Sequence, residues 1–98
     1  MPATRIQFIN RYPVVNTRKT SAGTKQEVEW VFAPIDFKLG LGPCGKVVKE
    51  LYLNYSDAVV TITQVHDDGT AKEFIYQMND IAGRITHETT DRYEVDYV

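Results

Sequence analysis

Apolar and polar positions alternate with period two through much of this chain, the pattern of strands with one buried face and one wet face. Ile6 and Phe8 alternate with Arg5 and Gln7. Val28, Trp30 and Phe32 alternate with Glu27 and Glu29, and Ile35, Phe37 and Leu39 alternate with Asp36 and Lys38. Towards the end, Tyr93, Val95 and Tyr97 alternate with Arg92, Glu94 and Asp96. The alternation predicts burial of Ile6, Phe8, Val28, Trp30, Phe32, Phe37, Ile62, Phe74 and Val95.

The strongest hairpin signal lies between Ala58 and Met78. Val59 to Thr63 is β-branched throughout, and Phe74, Ile75 and Tyr76 answer it across the turn Asp67-Asp68-Gly69-Thr70. Asp-Gly suits that turn because it tolerates the positive φ angles of tight hairpins. A second turn at Asn79–Gly83 precedes a short strand from Arg84 to Glu88, and a last strand runs from Arg92 to Val98. The final forty or so residues thus read as an antiparallel meander. Thr17–Gln26 has no large apolar residue and reads as an exposed, mobile loop. Residues 46–55 fit two periods. A helix would gather Val47, Val48, Leu51, Tyr52 and Tyr55, whereas a strand would align Val47, Leu51, Leu53 and Tyr55. The fold class is mostly β: an antiparallel sandwich or partly open small barrel of about six to eight short strands, with either one short helix or a strand at 46–55. The alternative is α+β.

A length of 98 residues allows one domain, 1–98. With 43% hydrophobic and 24% charged residues, the composition belongs to folded rather than disordered chains. One cysteine, Cys44, permits no intrachain disulfide. Together with an N-terminus lacking a signal-peptide layout and the absence of any membrane-length apolar run, this predicts a cytoplasmic location and no membrane partner. Asn54-Tyr55-Ser56 fits the N-glycosylation pattern, which a cytoplasmic chain leaves unused.

Charge is uneven along the chain. Residues 1–26 carry five cations and no acid, while 27–98 carry six cations and thirteen acids, for a net −2. The basic stretch, with Arg11, Arg18, Lys19 and Lys25 beside Phe8 and Tyr12, is where an anionic ligand or nucleic acid would bind. An overall pI near 5.6 is low for a dedicated nucleic-acid binder.

Three motifs bear on catalysis. Gly40-Leu41-Gly42-Pro43-Cys44-Gly45-Lys46 resembles the phosphate-binding loop of nucleotide hydrolases. It departs from that pattern where Val47 replaces the magnesium-binding hydroxyl and where Pro43 removes a backbone donor. His66-Asp67-Asp68 and His87-Glu88 place imidazole beside carboxylates, but adjacent strand residues point to opposite faces and cannot grip one ion together. The acids read as turn residues, and no metal site is assigned. Cys44 has a cation nearby at Lys46 but no base in its vicinity along the sequence. No catalytic residue and no cofactor are predicted.

Tyr12, Tyr52, Tyr55, Tyr76, Tyr93 and Tyr97 are many for so small a chain, and tyrosine favours recognition surfaces. The reading that results is a non-catalytic module, an accessory factor or inhibitor of virus-encoded type. It would bind another protein, or a second copy of itself, through a tyrosine-bearing sheet face or an exposed edge strand. Arg11, Tyr12, Arg18, Lys19, Lys25, Tyr52 and Tyr55 are the candidate binding residues. The runner-up is weak binding of nucleic acid or another anion through the basic N-terminal region.

Overall fold

A computed structural model describes residues 2–42 and 45–97, and strands make up most of them. Among the described residues nine strands form two antiparallel sheets. The first contains β1 (Pro2–Ala3), β5 (Val47–Ser56), β6 (Val59–His66) and β7 (Ala71–Gln77) in that order, with β4 (Gly40–Leu41) also paired to β5. The second runs β3 (Gly23–Lys38), β2 (Arg5–Thr20), β8 (Ile81–Glu88) and β9 (Tyr93–Tyr97). The mostly β expectation holds, but the strands are not all short. β2 and β3 have 16 residues each.

The core lies between the sheets. Ile6, Phe8, Phe37 and Ile85 from the second sheet face Leu51, Leu53, Val60 and Ile62 from the first, and all are buried. Two aromatic contacts bridge the layers. Phe8 meets Tyr76 edge-on with centroids 4.9 Å apart, and Phe37 meets Phe74 at 5.0 Å. Offset and edge-on geometries such as these suit the ring quadrupoles.

Residues 46–55 form strand β5, and the helix alternative is set aside. The ambiguity has a local cause. The register with β6 slips between Val48 and Glu50, so Val48 and Leu51 both reach the core although they are three residues apart. A bulge of this kind imitates helical spacing. The terminal meander is also corrected. β6 and β7 lie in one sheet and β8 and β9 in the other, with a 3₁₀ turn at Met78–Asp80 carrying the chain across.

In the loop resembling a phosphate site, Pro43 and Cys44 lie outside the described residues. The flanks are strands: Gly40 pairs with Val48 and Leu41 with Val47. Among the described residues a strand, β5 from Val47, and not a helix follows Gly45, so this segment does not offer the fan of free N–H groups of a helix N-terminus.

Both histidines are buried, not exposed turn residues. His66 Nδ1 lies 3.0 Å from Thr70 Oγ1. Asp68 accepts from the Thr70 amide at 2.9 Å and from its hydroxyl, and Lys46 Nζ stands 3.3 Å away. These bonds, with Thr70 foremost, hold the Asp68 carboxyl down to about 2, below the ordinary 3.8. A depressed carboxyl stabilises the fold above its ordinary value and loses that contribution as pH falls toward the depressed one. In acid titrations of stability, wild type is expected to exceed Asp68→Asn above pH 3.8 and to converge with it near pH 2. A constant gap between the two curves would show that Asp68 carries no such linkage.

Candidate functional site

The register of β2 with β3 runs without interruption from Arg5↔Lys38 to Thr20↔Gly23. β8 accompanies β2 only as far as Asn10. From Arg11 to Thr20 on one strand and Gly23 to Phe32 on the other, the two strands therefore pair with each other alone. At about 3.4 Å per residue these ten positions make a ribbon on the order of 34 Å long. The molecule is correspondingly elongated, 59 × 30 × 20 Å with a radius of gyration of 17.3 Å. A compact chain of this length has about 13 Å.

Thr17–Gln26 is thus the end of a hairpin arm and not a loop. Ser21 and Ala22 make the turn, Gly23 takes φ +126°, and Thr20 Oγ1 donates to the Gly23 carbonyl at 3.0 Å. The segment is exposed, as its composition implies, but its backbone is paired.

Side chains on an unbroken ribbon alternate between its two faces. The β2 residues Ile6 and Phe8 share a face with Phe37 and Ile35, and near the body this face is the core. Ile9, Arg11, Pro13 and Val15 lie on the opposite, outer face with Pro34, Phe32, Trp30 and Val28. Val28, Trp30 and Phe32 are therefore not core residues. They are 61%, 53% and 59% exposed, and Val15 is 57% exposed.

This apolar row continues onto the body. The outer face of β8 and β9 carries Arg84 and Thr86 with Tyr93, Val95 and Tyr97. Gln7, Ile9, Pro34, Asp36, Tyr93 and Tyr97 border a shallow concavity of about 740 Å³ where arm and body meet. Tyr93 is 59% and Tyr97 82% exposed, whereas Val95 is half-buried.

The predicted binding residues do not converge on one place. Arg11 belongs to the outer face. Its guanidinium carbon lies 5.5 Å from the centre of the Trp30 ring, and its Nε donates to the Asn79 carbonyl at 3.1 Å. Tyr12 occupies the other face of the arm. Arg18, Lys19 and Lys25 sit near the tip, where Arg18 and Lys25 approach Glu27 at 3.9 and 3.8 Å. Tyr52 is on the outer surface of the other sheet, with its hydroxyl pushed up chiefly by the charge of Glu50. Tyr55 donates to Asp96 at 2.7 Å, and burial, with Asp96 adding to it, also pushes that hydroxyl up. Tyr52 and Tyr55 therefore belong to the sheet that does not carry the arm, and Tyr55 acts as a tie between the sheets.

Beside that tie lies His87, fully buried, with Nε2 3.0 Å from Glu94 Oε2 and Nδ1 3.8 Å from Asp96 Oδ2. Neither ring nitrogen has an aligned hydrogen-bond partner among the described residues. The group belongs to the seam between β8, β9 and β5. Among the described residues no three metal-ligating side chains gather in the manner of a metal site, and no helix is long and apolar enough to cross a membrane.

The residues missed by sequence reasoning are Ile9, Val15, Val28, Trp30, Phe32, Tyr93 and Tyr97 as an outward-facing set. A signal for part of it was present: the apolar positions of β3 shift from even numbers (28, 30, 32) to odd ones (35, 37).

Comparison with known proteins gives two matches. The profile of a family described as Enterobacteria phage T3 gene 1.05 protein matches residues 2–89. The gene 1.05 protein of Enterobacteria phage T3, whose description assigns no activity, is 44% identical over 50 residues. The matched stretch takes in 51% of this chain and 56% of that protein, about half of each. No solved structure matches the chain at a significant level.

Proposed function

The chain belongs to the Enterobacteria phage T3 gene 1.05 protein family, and we propose that it serves the phage as a non-catalytic protein-binding module, an accessory factor or inhibitor working through the outer face of its arm. The observation that carries this reading is the contiguous exposed row Val15, Val28, Trp30, Phe32 and Ile9 on a ribbon that no third strand accompanies among the described residues. Isolated two-stranded ribbons are marginal in water, and large exposed apolar patches mark interaction sites. A partner seated on that face would bury the row and stiffen the arm together.

Contact is made by side chains on the face, not by addition of a strand to an edge. Proline has no N–H for a ladder and is tolerated in a strand where that position faces away from the sheet. Pro13 interrupts the open edge of β2 beyond Asn10, and Pro34 interrupts the open edge of β3. Pro13 thereby blunts the β2 rim of the ribbon against pairing, and Pro34 blunts the β3 edge where the arm joins the body.

Binding of an anion at the tip is the second reading, since Arg18, Lys19 and Lys25 cluster there. Glu27 already neutralises part of that charge.

The test is site-directed photocrosslinking during phage infection. A photoreactive residue at Val28 is expected to yield a discrete protein adduct, and the same residue at exposed Glu73 on the opposite sheet is expected to yield none. Equal adducts from both positions, or none from Val28, would count against the outer face.

A further inference from the structure

Charge on the outer face differs in sign from the rest of the chain. Following the register across the four strands, this face carries Arg5, Arg11, Lys19, Lys38 and Arg84 against Asp36 and Glu88. That is a surplus of three positive charges in a chain of net −2, which leaves −5 for all other surfaces. Arg5 and Asp36 are already paired at 2.7 Å, so the surplus resides in Arg11, Lys19, Lys38 and Arg84 with Glu88 opposing.

From this segregation we infer that the partner of the outer face is an acidic protein surface, presenting apolar side chains among Asp and Glu. This deepens the proposed function and rests on it. Three observations decide among possible occupants. A second copy docked by a two-fold axis would bring the same patch onto itself, setting surplus positive charge against surplus positive charge. Single-stranded nucleic acid would meet the charges, but it binds by stacking bases on open aromatic faces. Here the Arg11 guanidinium carbon already stands over one face of Trp30, 5.5 Å from the ring centre, and Ile9, Val15 and Val28 supply aliphatic area that bases do not use. An acidic, apolar protein surface uses both features. Its carboxylates meet the cations at the rim, where complementarity governs encounter rate and partner choice. Its apolar side chains cover Trp30 and Phe32, residue types that dominate binding energy when buried centrally.

The experiment is selection of a random-sequence peptide display library on the folded wild-type chain, with depletion on Trp30→Lys. Far-ultraviolet dichroism confirms that this exposed-site variant is folded. Peptides that bind wild type and not the variant are expected to carry net negative charge among apolar residues. They are expected to bind at least tenfold more weakly to the double variant Arg11→Ala, Lys19→Ala, and to weaken with added salt. Face-dependent peptides of neutral or basic composition would overturn the acidic partner while leaving the docking face in place. Loss of every wild-type binder in the Trp30→Lys depletion would overturn the docking face itself. Two controls address the other occupants. A wild-type dimer that Trp30→Lys dissociates in sedimentation equilibrium would replace the acidic partner with a second copy. Submicromolar, Trp30-dependent binding of a fluorescent single-stranded oligonucleotide at near-physiological salt would replace it with nucleic acid.

Discussion

Replacing Ile62 with alanine is expected to lower the unfolding free energy by about 2–5 kcal/mol, the usual cost of a large cavity in a packed core. Ile62 is completely buried on β6 and pairs with Leu53 and Phe74 on its neighbours. Because a protein of this size is stabilised by only about 5–15 kcal/mol in all, the loss should be visible as a drop in melting temperature of more than about 10 °C. Urea denaturation followed by far-ultraviolet dichroism is the measurement. Trp30 fluorescence is the wrong probe, because that indole stands on the arm, away from the cavity. A loss below about 1 kcal/mol would mean that the two sheets do not pack around Ile62 as described.

Excising the arm should have the opposite profile, with a small effect on stability and a complete one on binding. Asn10 and Ala33 face each other where the ribbon leaves the body, an even number of positions from the native closing pair Thr20 and Gly23, so residues 11–32 can be replaced by Asn-Gly, the pair best suited to a two-residue hairpin turn. Among the described residues, none in the buried core comes from the excised segment, and the melting temperature is expected to move by no more than a few degrees. Crosslinking through the outer face and binding of the selected peptides are expected to disappear, a reduction of a hundredfold or more. If the shortened chain failed to fold, the arm would be part of the folding unit. If it folded and kept its binding, the site would lie on the body.

On β5 the register slip between Val48 and Glu50 changes the phase, but part of the sandwich core was legible in the sequence where a strand alternates in a single phase, as at Ile6 and Phe8. The hairpin at Asp67–Thr70 was legible for the same reason, joined to turn chemistry that only a few residues satisfy. The arm was not. Trp30 and Phe32 carry the same alternation as Phe37, and alternation says that one face is apolar without saying what covers it. Telling them apart requires knowing that β3 is one continuous strand, for then even and odd positions must lie on opposite faces. Pro34 stands where the phase changes, yet it sits at an open edge and the strand continues through it. Sequence proximity is also a poor guide to which charged residues share a sheet surface. Arg11 lies beside Trp30 through cross-strand register, whereas Arg84 joins the same face from the far end of the chain.

The uninterrupted register of β2 with β3 also limits how the arm can change length. Deleting a single residue from one strand would turn every side chain beyond it to the other face, sending Trp30 to the side of Tyr12. Removing one residue from each strand at facing positions shortens the ribbon without a mismatch in pairing, but it still inverts the faces beyond the cut. Only changes of two residues per strand preserve both the pairing and the outward display. Insertions and deletions in this segment are therefore tolerated in units of four, and the distance from body to tip changes in steps of about 7 Å.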